Sequence, residues 1–581
     1  MRPSRRRLLG SAALTGGFAA VLAAAGSSRA ETPAAPTHPV DRPAAGADAA
    51  HGTPWSPEEF GAVGDGRTDD TDALQAAIDA VRDAGSGTVE LREGAVYLVS
   101  SVDIQHGLTL EGNGARILRP PHHPQGVRTL TTQHRPARTA EEHASAIVLR
   151  DLTVDGAIHE QGAFRDYEQE QSSLIFLNGQ RDGPYRQVVR ISGVTVQNSV
   201  SDGIHLWTAT DATITDLRGV DCFRGGLTIT GGDNRVRVDG YRGSGEFTGA
   251  HIDIELDTLS NGRFHGDFEI RDAIVEDGPH TRPTDIECGD GGRAVLENCA
   301  FRSGFTMMGL NGTIRVTDCE LHGKDGDEGL VPRVVHRGDD VVFTRCDFRA
   351  HGTRVGTPRS EILAGVRIQQ TYSFDAAALF NPRKVVFDRC TFSPAPAEGT
   401  NDGGEPVVGV WVAGSRPSDG QVVVRDCSFG QGLDHAVDLT LGGRLVLEGT
   451  NRIDSRIGFR VGSLPPGDSR HQIEENGSLT PGEHTVEMWQ RGGRDRSAGS
   501  WERHRPRQRH FLRRRGPRAA CPAPNPTRAA CADPTRPRLR APGIRSPRAR
   551  PARRCRPDGR RRGPPAWSSA RRSRRSPPTL R

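Results

Sequence analysis

From Val200 onward the chain alternates apolar and polar residues in short bursts that recur. Val200-Ser201-Asp202-Gly203-Ile204-His205-Leu206-Trp207 is followed by Gly225-Gly226-Leu227-Thr228-Ile229-Thr230, then Ala250-His251-Ile252-Asp253-Ile254-Glu255, then Thr284-Asp285-Ile286-Glu287-Cys288. Alternation with period two predicts strands with one buried face. Recurrence after a few tens of residues predicts a solenoid, in which each repeat buries its apolar face against its neighbours. The inward centres fall at Ile175, Ile204, Leu227, Ile252, Ile286 and Met307, with further coils near Val335, Val366, Val410, Val437 and Phe459. The pattern is lost after about residue 480.

A second pattern runs between these bursts. It reads Val148-Leu149-Arg150-Asp151-Leu152-Thr153-Val154, then Val189 to Val196, then Ala212 to Leu217. In later copies a cysteine takes the place of the central aliphatic residue, at Cys299, Cys319, Cys346, Cys390 and Cys427, and Phe301, Phe348, Phe392 and Phe429 follow four of the five two positions on. A position shared by Leu152, Val194, Leu217 and five cysteines reads as a packing column, where a free thiol acts as a small hydrophobe. Disulfides and a metal cluster are the rival readings, but neither needs equivalent positions in successive coils, and no CxxC pair occurs.

The first module carries a motif. Phe60-Gly61-Ala62-Val63-Gly64-Asp65-Gly66-Arg67-Thr68-Asp69-Asp70-Thr71-Asp72 leads into Ala73 to Val81, which has apolar residues at helical spacing behind a Thr/Asp cluster suited to capping. Gly85-Ser86-Gly87-Thr88-Val89, Gly94 to Val99 and Leu108-Thr109-Leu110-Glu111-Gly112-Asn113-Gly114 follow. This run, residues 55–120, is similar to the N-terminal part of the pectate-lyase-like superfamily. The resemblance implies an all-β chain folded as a single-stranded, right-handed parallel β-helix whose end is covered by that N-terminal helix. It leaves activity open, because hydrolases, lyases, epimerases and binding modules share the fold. Polygalacturonases of this superfamily carry NTD, DD, GHG and RIK motifs; here Ser201-Asp202-Gly203, Arg224-Gly225-Gly226 and Arg367-Ile368-Gln369 match them only in part. The DPH motif of the β-helix epimerases is absent from the sequence.

The two ends do not share the repeat. Ser4-Arg5-Arg6-Arg7-Leu8-Leu9, an apolar run and Ser28-Arg29-Ala30 form a twin-arginine-type signal over residues 1–30, which implies export; an uncleaved membrane anchor is the alternative. Residues 31–54 read as a disordered Ala/Pro/Thr-rich linker, residues 55–480 as the β-helix domain, and residues 491–581 as an Arg/Pro-rich tail that buries no core. For the tail, translation in a wrong frame competes with a nucleic-acid arm. It holds 29 arginines against four acids, and residues 1–30 hold five arginines and no acid, so the +5 of the whole chain leaves the body at −25. A body that acidic is soluble and does not attract polyanions unaided. No nucleic-acid partner and no stable membrane insertion are expected of it.

Aligning the inward centres places the candidate chemistry. His205, Thr228, Asp253 and Glu287 form one outward column, and Gly203, Gly226, His251 and Asp285 a second, with Asp202, Arg224 and Glu255 at the margin. Neighbouring strands lie about 4.8 Å apart, so Asp253 and Glu287 are expected to face each other and force one carboxyl to keep its proton. That pair suits cleavage of a glycosidic bond, one carboxyl as acid and the other as base or nucleophile. His205 or His251 would orient them or carry a proton, the glycines would leave room for a sugar chain, and Trp207 would stack on it. The expectation is therefore an exported protein that cleaves a polysaccharide such as a uronate-containing glycan, by hydrolysis and without a cofactor. A lyase or epimerase is the second reading, with His205, His251 or Arg224 as base and calcium held by Asp253, Asp285 and Glu287. A glycan-binding surface module without turnover is the third.

Overall fold

The computed structural model describes residues 53–134, 139–161, 171–179, 186–246, 248–255, 266–279, 281–288, 291–310, 312–323, 333–350, 363–369, 382–394, 407–413, 421–439, 443–455, 457–462, 471–475, 478–479, 486–491 and 501–503. The signal segment and nearly all of the linker and tail lie outside the described residues.

The apolar residues of the second pattern build two of three long sheet faces. On one face Gly87–Glu90, the start of Leu108–Leu118, the start of Ile147–Asp155, Gln187–Ser192 and the start of Thr210–Cys222 lie side by side, each parallel to the next. The same long strands then turn a corner and continue as the next face, where Thr195–Ser199 pairs with the ends of Ile147–Asp155 and Thr210–Cys222. The corner residues adopt left-handed backbone: Asp151, Asp216, Asp272, Asn298, Asp318, Arg345, Arg389 and Asp426 have φ between 46° and 55°. Asp and Asn reach this region more easily than other residues with a β-carbon. Immediately after each corner stands the packing column: Leu152, Leu217, Ala273, Cys299, Cys319, Cys346, Cys390 and Cys427, all at most 2% exposed.

The cysteines are free thiols, as the packing reading expected. Four of the five ladder thiols donate to a carbonyl of the preceding coil, Cys346 Sγ to Val316 O and Cys390 Sγ to Phe343 O both at 3.5 Å, while Cys319 Sγ donates to Thr317 O of its own coil at 3.2 Å. After the cysteines the column continues in Asn451, whose Oδ1 accepts from the Cys427 amide at 2.8 Å. The aromatic positions form a second ladder, with Phe348, Phe392 and Phe429 stacked at 4.8 and 4.6 Å. Each such ring buries a large apolar area, and its stacking adds about 0.5–1.5 kcal/mol per pair.

The third face comes from the alternating bursts: Ile175–Asn178, Asp202–Trp207, Gly225–Thr230, Ala250–Glu255, Thr284–Cys288 and Phe305–Leu310, again all parallel. Parallel pairing continues through to Val486–Arg491, and Trp501–Arg503 then pairs antiparallel with that strand. The result is the all-β parallel β-helix that the resemblance implied, and such crossovers are right-handed in nearly all proteins. At the N-terminal end the helix Thr71–Asp83 lays Leu74, Ala77, Ile78 and Val81 on the first coil, all 0% exposed. The Asp cluster ahead of it serves the turn: Asp70 accepts from the Val63 and Gly64 amides at 2.7 and 3.1 Å, and Asp69 from Thr71 N at 3.0 Å.

Register on the third face departs from the expected alignment in three places. Ile204, Leu227 and Ile252 stand opposite one another as expected, but Ile286 pairs with Ile254 rather than Ile252. Met307 pairs with Val334, so Val335 is one residue away from the inward column. Val334 in turn pairs with Ile368, two residues beyond the expected Val366.

Candidate functional site

The outward column on the third face now runs Phe176, His205, Thr228, Asp253, Asp285, Thr306. The two-residue shift puts Asp285, not Glu287, beside Asp253. Glu287 lies two residues further along its strand and pairs with Met308. His251 also leaves the outward surface. Its ring packs into the coil, where a β-carbon on Gly243 would lie 2.5 Å from Nδ1, and its Nε2 meets the Glu276 carbonyl at 3.1 Å. Gly203 and Gly226 point the same way: β-carbons there would collide with Val196 at 2.5 Å and with Tyr241 Oη at 2.1 Å. They are small because the interior is full, not to make room for a sugar.

Asp202 is the anchor of what remains. It is 0% exposed, and Thr228 Oγ1 donates to its Oδ1 at 2.7 Å while Ser173 Oγ donates to Oδ2 at 3.4 Å. His205 Nδ1 lies 3.5 Å from that Oδ2, and Arg224 Nη1 lies 3.8 Å from it. The other end of Arg224 is 3.8 Å from Glu255 Oε2, which spans the cluster from Asp202 to the next coil but one. His205 Nε2 shares a 2.7 Å hydrogen bond with Thr230 Oγ1, and its ring meets Phe176 edge-on at 5.1 Å. Burial outweighs the pull of Asp202 and draws its pKa down to about 4, so the imidazole is neutral near pH 7.

Asp253 is held in the opposite sense. Burial, then the nearby Glu255, Asp285 and Asp202 carboxylates, push its pKa well above the usual carboxylate range, and Arg224 only partly opposes them. Its carboxyl keeps a proton where Asp285, half-buried on the adjacent strand, stands as its partner.

Trp207 is half-buried and packs on Phe176 at 5.8 Å, at the upstream rim. There the guanidinium of Arg128 lies 3.7 Å over the Phe176 ring. Its Nη2 donates to Gln171 Oε1 at 3.1 Å, and Nη1 donates to Gln133 Oε1. Among the described residues no carboxylate pairs with it.

No family model matches the chain. Among curated proteins it is 59% identical over 49 residues to alginate lyase 7 of Azotobacter vinelandii, a stretch of 8% of this chain and 6% of that protein. It is 29% identical over 169 residues to mannuronan C5-epimerase AlgE3 of the same organism, 25% of this chain and 9% of the relative. The matched stretches thus span a small part of these relatives. Among solved structures, the A-module of A. vinelandii mannuronan C-5 epimerase AlgE4 aligns with a TM-score of 0.41 at 17% identity, over 74% of this chain and 99% of that one. The likeness is one of fold: the chain is a parallel β-helix.

Of the candidate residues, this fold brings together Asp202, His205, Arg224, Asp253, Glu255 and Asp285, with Trp207 at the rim. Sequence reasoning missed Arg128, Phe176, Ser173 and Thr230. Phe176 and Thr230 sit at outward strand positions where a column through Ile175 and Ile229 could have found them. Arg128 and Ser173 lie outside the repeat, and no periodic signal marks them. Among the described residues no group of three His, Cys, Asp or Glu side chains is placed to hold a metal ion, and Glu287 stands apart from the Asp253–Asp285 pair with which it was expected to hold calcium. No step is routed through a metal.

Proposed function

We propose that the cluster around Asp253 cleaves a glycosidic bond in a uronate-containing polysaccharide, by hydrolysis. The observation that carries this is the buried carboxyl of Asp253, pushed well above the usual carboxylate range, with Asp285 opposite it in register. Asp253 gives its proton to the leaving glycosidic oxygen. Asp285 takes the proton of an attacking water or attacks the anomeric carbon itself; strands about 4.8 Å apart suit the close spacing of a retaining pair. Asp202 acts through others, setting His205, Thr228 and Arg224. Arg128 and Arg224 give this face the cations that an anionic sugar needs in a body of net charge −25.

A second reading has its own support. Arg128, without a carboxylate partner among the described residues, and the neutral His205 suit removal of a proton next to a uronate carboxylate, and sequence relatives include an alginate lyase and mannuronan epimerases. A base with a pKa near 4 is weak, which is why hydrolysis leads.

Incubation of the full chain with pectin, polygalacturonate and alginate decides between them. New reducing ends without absorbance from unsaturated sugars are the expected result. Unsaturated product assigns a lyase, and a change of uronate configuration without cleavage assigns an epimerase. Binding with no turnover on a broad glycan panel would overturn catalysis and leave a surface binding module.

A further inference from the structure

Arg119 is a fully buried arginine at the end of the strand Leu108–Leu118, 1% exposed, with no carboxylate in contact among the described residues. Its Nε donates to Thr129 Oγ1 at 2.9 Å, Nη1 to Ser172 O at 2.9 Å, and Nη2 to Ser173 O at 3.0 Å and Val127 O at 3.5 Å. Burial alone draws its pKa down to about 9, so it stays charged at neutral pH. Burying an unpaired cation is unfavourable, and an apolar side chain of similar size would fill the space at lower cost.

The four oxygens explain its presence. They belong to two separate segments, and each segment supports a residue of the candidate site. Val127 and Thr129 bracket Arg128 on both sides, so the arginine grips the backbone that aims that guanidinium at Phe176. Ser172 and Ser173 form the other segment, and the Ser173 hydroxyl reaches Asp202. The segments are also tied to each other, Gly126 N donating to Ser172 Oγ at 2.9 Å and Leu130 N to Leu174 O at 2.9 Å. A planar fork with five donors can hold four oxygens in fixed directions; an ammonium cannot.

We propose that Arg119 is a positioning residue of the cleft, holding Arg128 and Asp202 in place through the 127–129 and 172–173 backbones. This rests on the cleft being where a polysaccharide binds. The test is a double-mutant cycle in the full chain, combining Arg119→Lys with Arg128→Gln, read as KM and kcat on the polyuronate it turns over. Arg119→Lys is expected to raise KM about tenfold, the loss of one to two well-placed hydrogen bonds to charge. In the Arg128→Gln background the same change should raise KM by less than in wild type, because one of the two residues it serves is gone and only the Ser173–Asp202 arm remains. Multiplying losses, or KM and kcat unaltered in Arg119→Lys, overturn the proposal. Arg119→Met separates folding from positioning: it should retain the far-ultraviolet circular dichroism and still raise KM, whereas wild-type KM in a folded Met variant overturns the proposal. If the wild type turns over no glycan, only the catalytic reading fails, and the cycle is read on affinity for polygalacturonate; absence of that binding as well overturns both.

Discussion

A single carboxyl decides what this surface can do. Burial among acids biases Asp253 toward its protonated form, so substitution by asparagine removes the proposed catalytic proton without adding a charge. Asp253→Asn is expected to lower turnover by about 10²–10⁴-fold while the melting temperature is unchanged or raised. Asp285→Asn should behave likewise, and Glu287→Gln should leave turnover near wild type; the reverse order would show that the register seen here is not the working one. Activity should fall as pH rises through the raised pKa of Asp253, since the acid form is then lost. Stability follows the same sign for that group, declining over the window from the ordinary carboxylate value up to the raised one. His205 works the other way. Its pKa is about 4 in the fold and 6.5 in the unfolded chain, so its contribution is complete above 6.5 and is lost as pH falls toward 4, by about 3 kcal/mol in all. Urea unfolding at pH 7 and pH 4.5 should show a smaller acid penalty for His205→Gln than for wild type. Individual candidates such as Asp202, His205 and Asp253 were legible because they interrupt apolar alternation on an outward face. Arg128 was not, because contacts made by an irregular segment leave no period behind.

At the scale of the strand, the faces were legible and the register was not. Period two tells inward from outward, and a shift of two residues preserves that distinction entirely. This is why Asp285 and Glu287 were interchangeable on paper and why Ile286 was set against Ile252 rather than Ile254. His251 and the glycines at 203 and 226 failed for another reason: these positions near the strand starts face interior atoms, so the alternation does not hold there. The cysteine column survived because its corner residue and its aromatic partner mark the register independently. The seven described thiols, at Cys222, Cys288 and the five ladder positions, are buried and unpaired in disulfides; burial pushes those of Cys222 and Cys288 up to about 12. None of them is expected to react with a thiol reagent in the native protein, and all should react after denaturation. Prompt labelling of any ladder cysteine, found by peptide mapping, would contradict the packing described. Phe392→Ala, which removes the middle ring of a three-ring stack, should cost about 3–5 kcal/mol.

For the molecule as a whole, charge and shape work against each other at one place. A body of net charge −25 repels an anionic polymer, and the cleft answers with a few well-held guanidiniums. Arg128 is half-buried, so its attraction is only partly screened by salt. KM for a polyuronate is therefore expected to rise from low to high salt in Arg128→Gln less steeply than in wild type, measured at constant pH. A chelator should leave turnover unaltered, because the cleft relies on side chains for its positive charge.

The antiparallel strand Trp501–Arg503 has a further consequence. On the third face the last described coil strand, Val486–Arg491, would present a bare row of amide and carbonyl groups if nothing lay against it. Such a rim is a template on which a second molecule can grow the sheet. Reversal of direction makes Trp501–Arg503 a terminator, since a strand running the opposite way cannot be followed by another coil of the same hand. Chains shortened to end at Arg491 should keep the cleft intact and yet form end-to-end assemblies, seen as early elution in size-exclusion chromatography that grows with concentration.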